Sequence, residues 1–350
     1  MAAGFTTENK GLTRYITIIG KGDCLMADTG LIRIEGSSYY LPGRWAVGVY
    51  LDFDTRCAVL IDSGAGTTVA QQVDHAVKAH GCKVAAIIIT HGHEVQFRGN
   101  QYFKEQYPDI HIYSTHQTGM YLRHKSISSS ELPFGAPICE GNICMPDHSI
   151  TDFIPHADGS LQIGAITLQI LALPGHCSGM IGVITPDDVV YCSDAMFGYH
   201  TLSKQKLLYY TNIAEAKSTF RKLLSLKASA YVLYHGGCIK GMRNLVKQHM
   251  TRINETTHFI MNLVQDSPLT METIIEKVMR RYEVEQSVQQ YHVANAITHA
   301  HVTELYRKGL VLQYLYGGYL YVAGSHRDVM PDTDEEPEHI IKNNLLYVPS

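Results

Sequence analysis

The sequence lacks several features that would assign a class of protein at once. No segment approaches the ~20 continuous apolar residues that a membrane-spanning helix needs. The first residues, MAAGFTTENKGLTRY, lack the basic start and apolar run of a secretory signal. None of the eight cysteines forms a Cys-x-x-Cys pair. These absences predict a cytoplasmic protein that does not associate with membranes and whose thiols stay reduced.

An excess of positive charge is also missing. The 29 Lys and Arg residues are outnumbered by 33 Asp and Glu, which gives a net charge of -4. This balance argues against broad electrostatic capture of nucleic acid, although it leaves room for a local basic patch. Cys139 and Cys144 form a lone C-x4-C, and a structural zinc site there would need partners that the sequence does not supply nearby. The 19 histidines, several of them in short motifs, hint at metal chemistry instead.

Apolar runs in the first half predict an α/β pattern. Residues 57–61 and 84–89 are runs rich in β-branched side chains, typical of buried strands. Between them, residues 68–80 carry Val69, Val73 and Val77 at helical spacing. The second run stops at Thr-His-Gly-His, so the order is strand, helix, strand and then a histidine loop.

The next hundred residues repeat this style. Strands predicted at 166–173, 189–192 and 231–234 are each followed by a loop that contains a His or an Asp. Those loop residues are His176, Asp194 and His235. A rigid sheet that presents polar side chains on loops at strand ends is a common way to build an active site.

The pattern changes after about residue 241. Helices are predicted at 244–265, 271–282, 288–291 and 295–308, and strands at 310–314 and 319–323 form a hairpin. We interpret 241–326 as a helical domain of winged-helix type, which follows a domain over 14–240. Residues 327–350 form an acidic tail. Because the last long helix has few basic residues, the segment fits a substrate lid or dimer element better than an RNA-binding one.

Four residues of the strand-end loops suit a metal ion. His91, His93, His176 and Asp194 offer neutral imidazoles and a carboxylate, which zinc, manganese and iron all accept, and a histidine-rich set favours zinc. The alternative is that these are surface histidines without a common target. The full set in this order favours the metal site.

Five stretches of the chain resemble the metallo-β-lactamase superfamily over about residues 14–240. They are LIDSGAG, THGHEVQFRGN, DGSLQIGAITLQILALPGHCSG, VVYCSDAMF and LYHGG, in the order found in that family. The resemblance implies a four-layer αββα sandwich with its site at one rim. It further implies a role for six residues: first-metal ligands at His91, His93 and His176, a bridging ligand at Asp194, a second-metal ligand at His235, and an orienting carboxylate at Asp62.

The chain departs from the family at the histidine loop. The family's usual run is His-x-His-x-Asp-His, whereas this chain has Glu94, Val95 and Gln96 after His93. Valine has no lone pair to donate, and an amide oxygen is a poor zinc ligand compared with imidazole. The sequence therefore predicts one intact metal site and a degenerate second one, unless the Glu94 side chain swings in. Asp194 or His235 would then serve as proton acceptor or donor.

Three functions fit these residues. The first is a zinc-dependent hydrolase of a small ester, thioester, lactone or phosphoester, with one zinc held firmly and a second doubtful. The second is a catalytically weakened member that binds a metal or a metabolite. The third is an RNA-processing nuclease that uses the C-terminal segment, which could alternatively join two copies as a homodimer.

Overall fold

The computed structural model describes residues 30–123 and 150–325, which form two large sheets and a small third one. The Cys139–Cys144 pair, residues 14–29 and the acidic tail lie outside the described residues. The first sheet has seven strands in chain order: β1 Ile32–Glu35, β2 Ser38–Leu41, β3 Val47–Asp52, β4 Cys57–Ile61, β5 Lys83–Ile88, β6 His111–Thr115 and β7 Asp152–Ile154.

The second sheet has six strands. They are β8 Gly159–Ile163, β9 Ile166–Ala172, β10 Ile181–Ile184, β11 Val189–Tyr191, β12 Ala230–Leu233 and β13 Gly237–Ile239, in spatial order β13-β12-β11-β10-β9-β8. Strands β11 and β12 are parallel, and the other neighbours in this sheet are antiparallel. The strands predicted before His176, Asp194 and His235 are thus present as β9, β11 and β12.

The helices lie between the strands along the chain and after the second sheet, and they form two groups. The first group is α1 Thr67–Ala79, α2 Glu94–Phe97, α3 Asn100–Gln106 and α4 His116–Arg123. The second group is α5 Tyr199–Lys204, α6 Ile213–Ser225, α7 Arg243–Gln265, α8 Met271–Arg281 and α9 Val288–Arg307. Asn212 is the N-cap of α6, because its side-chain oxygen accepts a 3.2 Å hydrogen bond from the amide of Glu215.

Alternate residues of single strands pack into different core layers. In β4, Ala58 and Leu60 join a cluster between the first sheet and α1, whereas Val59 and Ile61 join a cluster between the two sheets. In β11 and β12, Val190 and Tyr231 face a third cluster that contains residues of α6 and α7. Because successive side chains of a strand point to opposite faces, these three clusters define four layers. The predicted αββα fold is confirmed.

The C-terminal region differs from the prediction at one element. The separate helices expected at 288–291 and 295–308 are wrong, because a single helix, α9, spans Val288–Arg307. No proline or glycine interrupts this segment, and Ser287 caps its start by accepting from the amide of Gln290. A three-stranded sheet of β14 Leu269–Thr270, β16 Tyr319–Gly324 and β15 Val311–Tyr316, in that order, completes the region.

Helix α7 is shared between the sandwich and the C-terminal helices. Leu245, Val246 and Ile253 pack into the cluster that covers the second sheet, and Ile260 and Val264 pack with α8 and α9. The domain boundary at 240/241 and the winged-helix assignment stay predictions. None of the helices within 30–123 and 150–325 is long and apolar enough to cross a lipid bilayer.

Candidate metal centre

The candidate ligands meet at one rim of the sandwich because several strands end there. In the second sheet β10 is antiparallel to both β9 and β11, and β12 is parallel to β11. The carboxyl ends of β9, β11 and β12 therefore share an edge, where His176, Asp194 and His235 follow. The amide of Ile181 donates to the carbonyl of Thr90 at 3.0 Å, which holds the histidine loop of the first sheet against this edge.

Four donor atoms converge at this rim within 4.8 Å of one another, from His91, His93, His176 and Asp194. Nδ1 of His93 lies 3.0 Å from Nε2 of His91 and 3.2 Å from Nε2 of His176. Oδ2 of Asp194 lies 3.5 Å from Nε2 of His91 and 3.7 Å from Nε2 of His176. The three rings stand at 80–90° to each other, so their edges and not their faces meet.

These separations fit a divalent cation. Four ligands in tetrahedral array around zinc, each about 2.1 Å from the ion, lie about 3.4 Å apart. The measured contacts of 3.0–3.7 Å bracket that distance. A single proton on Nδ1 of His93 cannot serve both neighbouring nitrogens fully, whereas a cation between the three rings would bind all of them. The residues present therefore suit a bound metal ion.

Hydrogen bonds outside the cluster fix which nitrogen of His176 and of His91 can bind a metal. Nδ1 of His176 donates to the carbonyl oxygen of Tyr209 at 3.1 Å, since a carbonyl can only accept. Its Nε2 therefore carries the lone pair that faces the cluster. Nδ1 of His91 lies 3.0 Å from Oγ of Ser193, which leaves Nε2 of His91 for the cluster in the same way.

A chain of two hydroxyl groups joins His91 to Asp62. The hydroxyl of Thr90 donates to the Asp62 carboxylate at 2.8 Å, and it lies 2.6 Å from the hydroxyl of Ser193. When Asp62 is ionised, the Thr90 proton is committed to its carboxylate, so Ser193 donates to Thr90 and accepts from Nδ1 of His91. Oγ1 of Thr90 also lies 3.2 Å from Nδ1 of His91, so Asp62 is linked to His91 through Thr90 and Ser193 and not by direct contact. Burial raises the pKa of Asp62 to about 7 against the lowering effect of His91 and these hydrogen bonds.

The protonation states also suit a metal. Burial lowers the pKa of His176 to about 4, and burial together with the neighbouring rings of His91 and His176 holds the pKa of His93 well below its usual range. Burial alone would raise the pKa of Asp194, but the nearby rings of His91, His176 and His235 hold that pKa below its usual range. At neutral pH His93 and His176 are therefore neutral imidazoles and Asp194 is a carboxylate, the states that coordinate a metal.

The second site differs from the first. The His235 side chain is 26% exposed, and its Nε2 lies 3.7 Å from Oδ1 of Asp194. Gln96 is fully buried, and its amide nitrogen lies 3.5 Å from Oδ2 of Asp194. Glu94 is half-exposed and forms an ion pair with Arg98. The carbonyl of Val95 accepts a 2.6 Å hydrogen bond from the Tyr234 hydroxyl, so the backbone of this turn is fixed.

Two buried atoms beside the second site lack a hydrogen-bond partner among the described residues. They are Oε1 of Gln96 and Oδ1 of Asp194. Buried polar atoms are normally satisfied, so both are free to accept from a bound group. Sequence analysis did not identify Tyr209, Ser193, Thr90 or Tyr234 as parts of the site. Thr90 and Ser193 could have been found as hydroxyl residues adjacent to His91 and Asp194, whereas Tyr209 gives no signal in the sequence.

Comparison with known proteins agrees with this geometry. Residues 43–235, more than half of the chain, match the sequence model of the metallo-beta-lactamase superfamily. The chain is 24% identical over 185 residues to YqgX of Bacillus subtilis (strain 168), described as a "probable metallo-hydrolase". That similarity covers 53% of this chain and 81% of the relative.

Solved structures show the same fold. A metallo-beta-lactamase family protein from Thermus thermophilus superposes with a TM-score of 0.61 at 18% identity, over 81% of this chain and 98% of the other. A beta-lactamase domain protein from Burkholderia ambifaria superposes with a TM-score of 0.63 at 14% identity, over 88% and 95% of the two chains. At these identities the likeness establishes the fold alone.

Proposed function

The chain belongs to the metallo-β-lactamase superfamily, and on that premise we propose that it is a metal-dependent hydrolase of a small ester, thioester, lactone or phosphoester. The convergence of four metal-ligating atoms within 4.8 Å at a strand-end rim carries this proposal. The description of the Bacillus subtilis relative as a metallo-hydrolase supports the reaction class. Assignment to the cytoplasm and a homodimer through the C-terminal segment remain predictions from the sequence.

We infer that His91, His93, His176 and Asp194 hold one cation firmly. Zinc is the first candidate because three of the four donors are imidazoles, and manganese or iron would also accept this set. A divalent cation in such a site supplies Lewis acidity that makes water acidic near neutral pH. His235 and Asp194 would hold a second cation weakly, because Val95 and Gln96 stand where two further ligands are expected.

The proton-transfer role falls to groups on the His235 side of the cluster. Oδ1 of Asp194 has no partner among the described residues, and Nε2 of His235 lies 3.7 Å from it. The His235 side chain is 26% exposed, whereas the side chains of His91 and His176 are at most 5% exposed. His235 can therefore exchange a proton with solvent, which suits a general acid or base. Asp194 would orient the reacting water through its free oxygen.

The nature of Gln96 favours a second candidate, a catalytically weakened protein that binds a metal or a metabolite. Its amide donor faces Asp194, where the family places a second histidine, so a second cation cannot assist the reaction in the usual way. The two candidates predict the same metal content and differ in turnover.

A panel of neutral esters, thioesters, lactones and phosphoesters tests the hydrolase. We expect turnover of at least one class, a loss of about 100-fold or more after chelation, and recovery when zinc, manganese or iron is added back. His200→Gln, which changes an exposed histidine of α5, is the matched control for His93→Gln. Metal-loaded protein that turns over no class would favour the weakened binder, and turnover that survives complete metal removal would contradict both.

A further inference from the structure

A surface groove of about 570 Å³ lies between α5 and the first half of α7. Its lining consists of Tyr199, Asn244, Lys247, Gln248, Thr251 and Arg252. The α7 residues recur at helical spacing on one face, opposite the face that packs into the core. We propose that this groove binds a phosphate group carried by the substrate, remote from the bond that is hydrolysed.

The charged residues that line the groove, Lys247 and Arg252, are both cations. Helix α7 has three cations in its first ten residues, Arg243, Lys247 and Arg252, and its first acidic residue is Glu255, a turn past the groove. Helix α5 has Lys204 and no acidic residue. In the part of the chain that the structure describes, neither Lys247 nor Arg252 forms an ion pair with a carboxylate. In a chain of net charge -4, this local excess indicates an anionic ligand.

The two cations suit phosphate in complementary ways. Arg252 is held in place, because its guanidinium donates to the carbonyl of Gln205 at the end of α5 at 3.1 Å. Its remaining N–H groups form a preorganised fork of the kind that binds phosphate oxygens. Lys247 is exposed and supplies a mobile point charge. Tyr199, 44% exposed, adds a flat surface at the other wall for the non-phosphate part of the ligand.

The groove is connected to the metal centre through three consecutive residues. Phe197 packs 6.0 Å from the ring of His235, and it stacks on His249 of α7 with ring centroids 6.1 Å apart. The amide of Gly198 donates to the carbonyl of His235 at 2.7 Å. Tyr199 follows at once and lines the groove. The Tyr199 wall of the groove is thus two residues along the chain from Phe197, whose ring packs against His235.

A groove of about 570 Å³ has room for a substituent beyond the phosphate group itself. Ligand pockets span about 300–1,000 Å³, so this one accommodates a substantial substituent. This inference rests on the proposed hydrolase and narrows its substrate to phosphate-bearing esters or thioesters. RNA also carries phosphates, but a nucleic-acid track needs many more cations than two along a groove.

Binding of phenyl phosphate to the metal-free protein tests the groove separately from the hydrolase. After chelation the metal centre cannot capture the anion, so calorimetry reports binding at the groove alone. We expect saturable binding to survive chelation and to weaken about tenfold in Lys247→Gln with Arg252→Gln, or about threefold in Lys247→Gln alone. Lys83→Gln, the same charge change at an exposed site on β5, should bind like the wild type.

Several outcomes would overturn the proposal. They are no binding to the metal-free protein, equal binding by wild type and the Lys247 variant, or affinity that rises steadily with the length of an oligouridylate, which would mark a nucleic-acid track. A neutral ester assayed in parallel reports on the hydrolase itself. Turnover of that ester without phenyl phosphate binding refutes phosphate binding at the groove and leaves the proposed function intact.

Discussion

At the scale of single residues, Gln96 and Val95 decide how many cations the rim can hold. The Gln96 amide lies 3.5 Å from Oδ2 of Asp194 and offers a hydrogen bond where a second metal would offer charge. Glu94 does not compensate, because its carboxylate pairs with Arg98 at the surface. The first site is unaffected, since its ligands come from other positions of the loop and from the second sheet.

Restoring the two missing ligands should restore the second cation. We expect Val95→Asp combined with Gln96→His to raise zinc content from about one to about two per chain, because His235 and Asp194 already lie beside the site. Metal analysis after gel filtration in zinc-buffered solution measures this. Glu94→Gln is the control and should leave the content at one. A double variant that still holds a single zinc would show that the fold and not the ligand set limits the second site.

The hydroxyl chain from Asp62 should set the affinity of the first site. Ser193→Ala removes the nearer of two hydroxyl partners of Nδ1 of His91, leaves Thr90 at 3.2 Å, and should weaken zinc binding by about tenfold without unfolding the protein. Competition with a chromogenic chelator gives the affinity. Ser203→Ala, at an exposed position of α5, is the matched control. Equal zinc affinities for the two variants would show that the Ser193 hydroxyl does not support the first metal site.

At the scale of elements, Gly175 positions the loop that holds His176. Its φ is +128°, and a Cβ there would lie 2.5 Å from the backbone of Ala216 in α6. Its carbonyl also accepts from the amides of Thr211 and Asn212, so this loop and the start of α6 are fixed together. A side chain at this position must therefore move either the helix or His176.

We expect Gly175→Ala to destabilise the protein by about 3 kcal/mol, through backbone strain and overpacking together. Urea denaturation measures the change, and zinc affinity should fall with it because His176 shifts. Gly241→Ala, where a Cβ meets open space, should change stability little. Full stability and full zinc affinity in Gly175→Ala would contradict the packing described here.

The elements and the site could be predicted from the sequence to different degrees. Strands β4 and β5 are continuous apolar runs, so their pattern was sufficient to predict them, and the loops after the predicted strands supplied four convergent ligands. Strands β1 and β2 were missed, because their Arg, Glu and Ser residues interrupt the apolar pattern at the sheet edge. The carbonyl of Tyr209 could not be predicted, since it lies 33 residues from His176 and any residue type supplies a carbonyl.

At the scale of the whole molecule, two buried histidines of the C-terminal helices, His249 and His301, make the stability of the protein depend on pH in the acid range. Nε2 of His249 in α7 accepts from the amide of Phe197, and its Nδ1 donates to the carbonyl of Leu245. Burial lowers the pKa of His249 to about 4 and that of His301 to about 3. As the pH falls, both groups therefore bind protons at a higher pH in the unfolded chain than in the folded protein.

Stability should therefore fall as pH drops from about 6.5 toward 4. Above the ordinary histidine pKa the two neutral rings add no pH dependence. Below it the unfolded chain gains protons first, and His249 alone accounts for about 3 kcal/mol once the pH is below 4. We expect His249→Gln to flatten this slope, measured by urea denaturation from pH 7.5 to 4.5. His258→Gln, at an exposed position of α7, should keep the wild-type slope; an unchanged slope in His249→Gln would refute this assignment.

Metal content tests the central claim most directly. Native mass spectrometry of protein purified without chelator should show about one divalent cation bound per chain, since only one ligand set is complete. The same measurement on His93→Gln should show that the cation is lost, whereas His200→Gln should retain it. A wild-type chain that holds no cation after incubation with zinc, or a His93→Gln variant that holds as much as the wild type, would contradict the account.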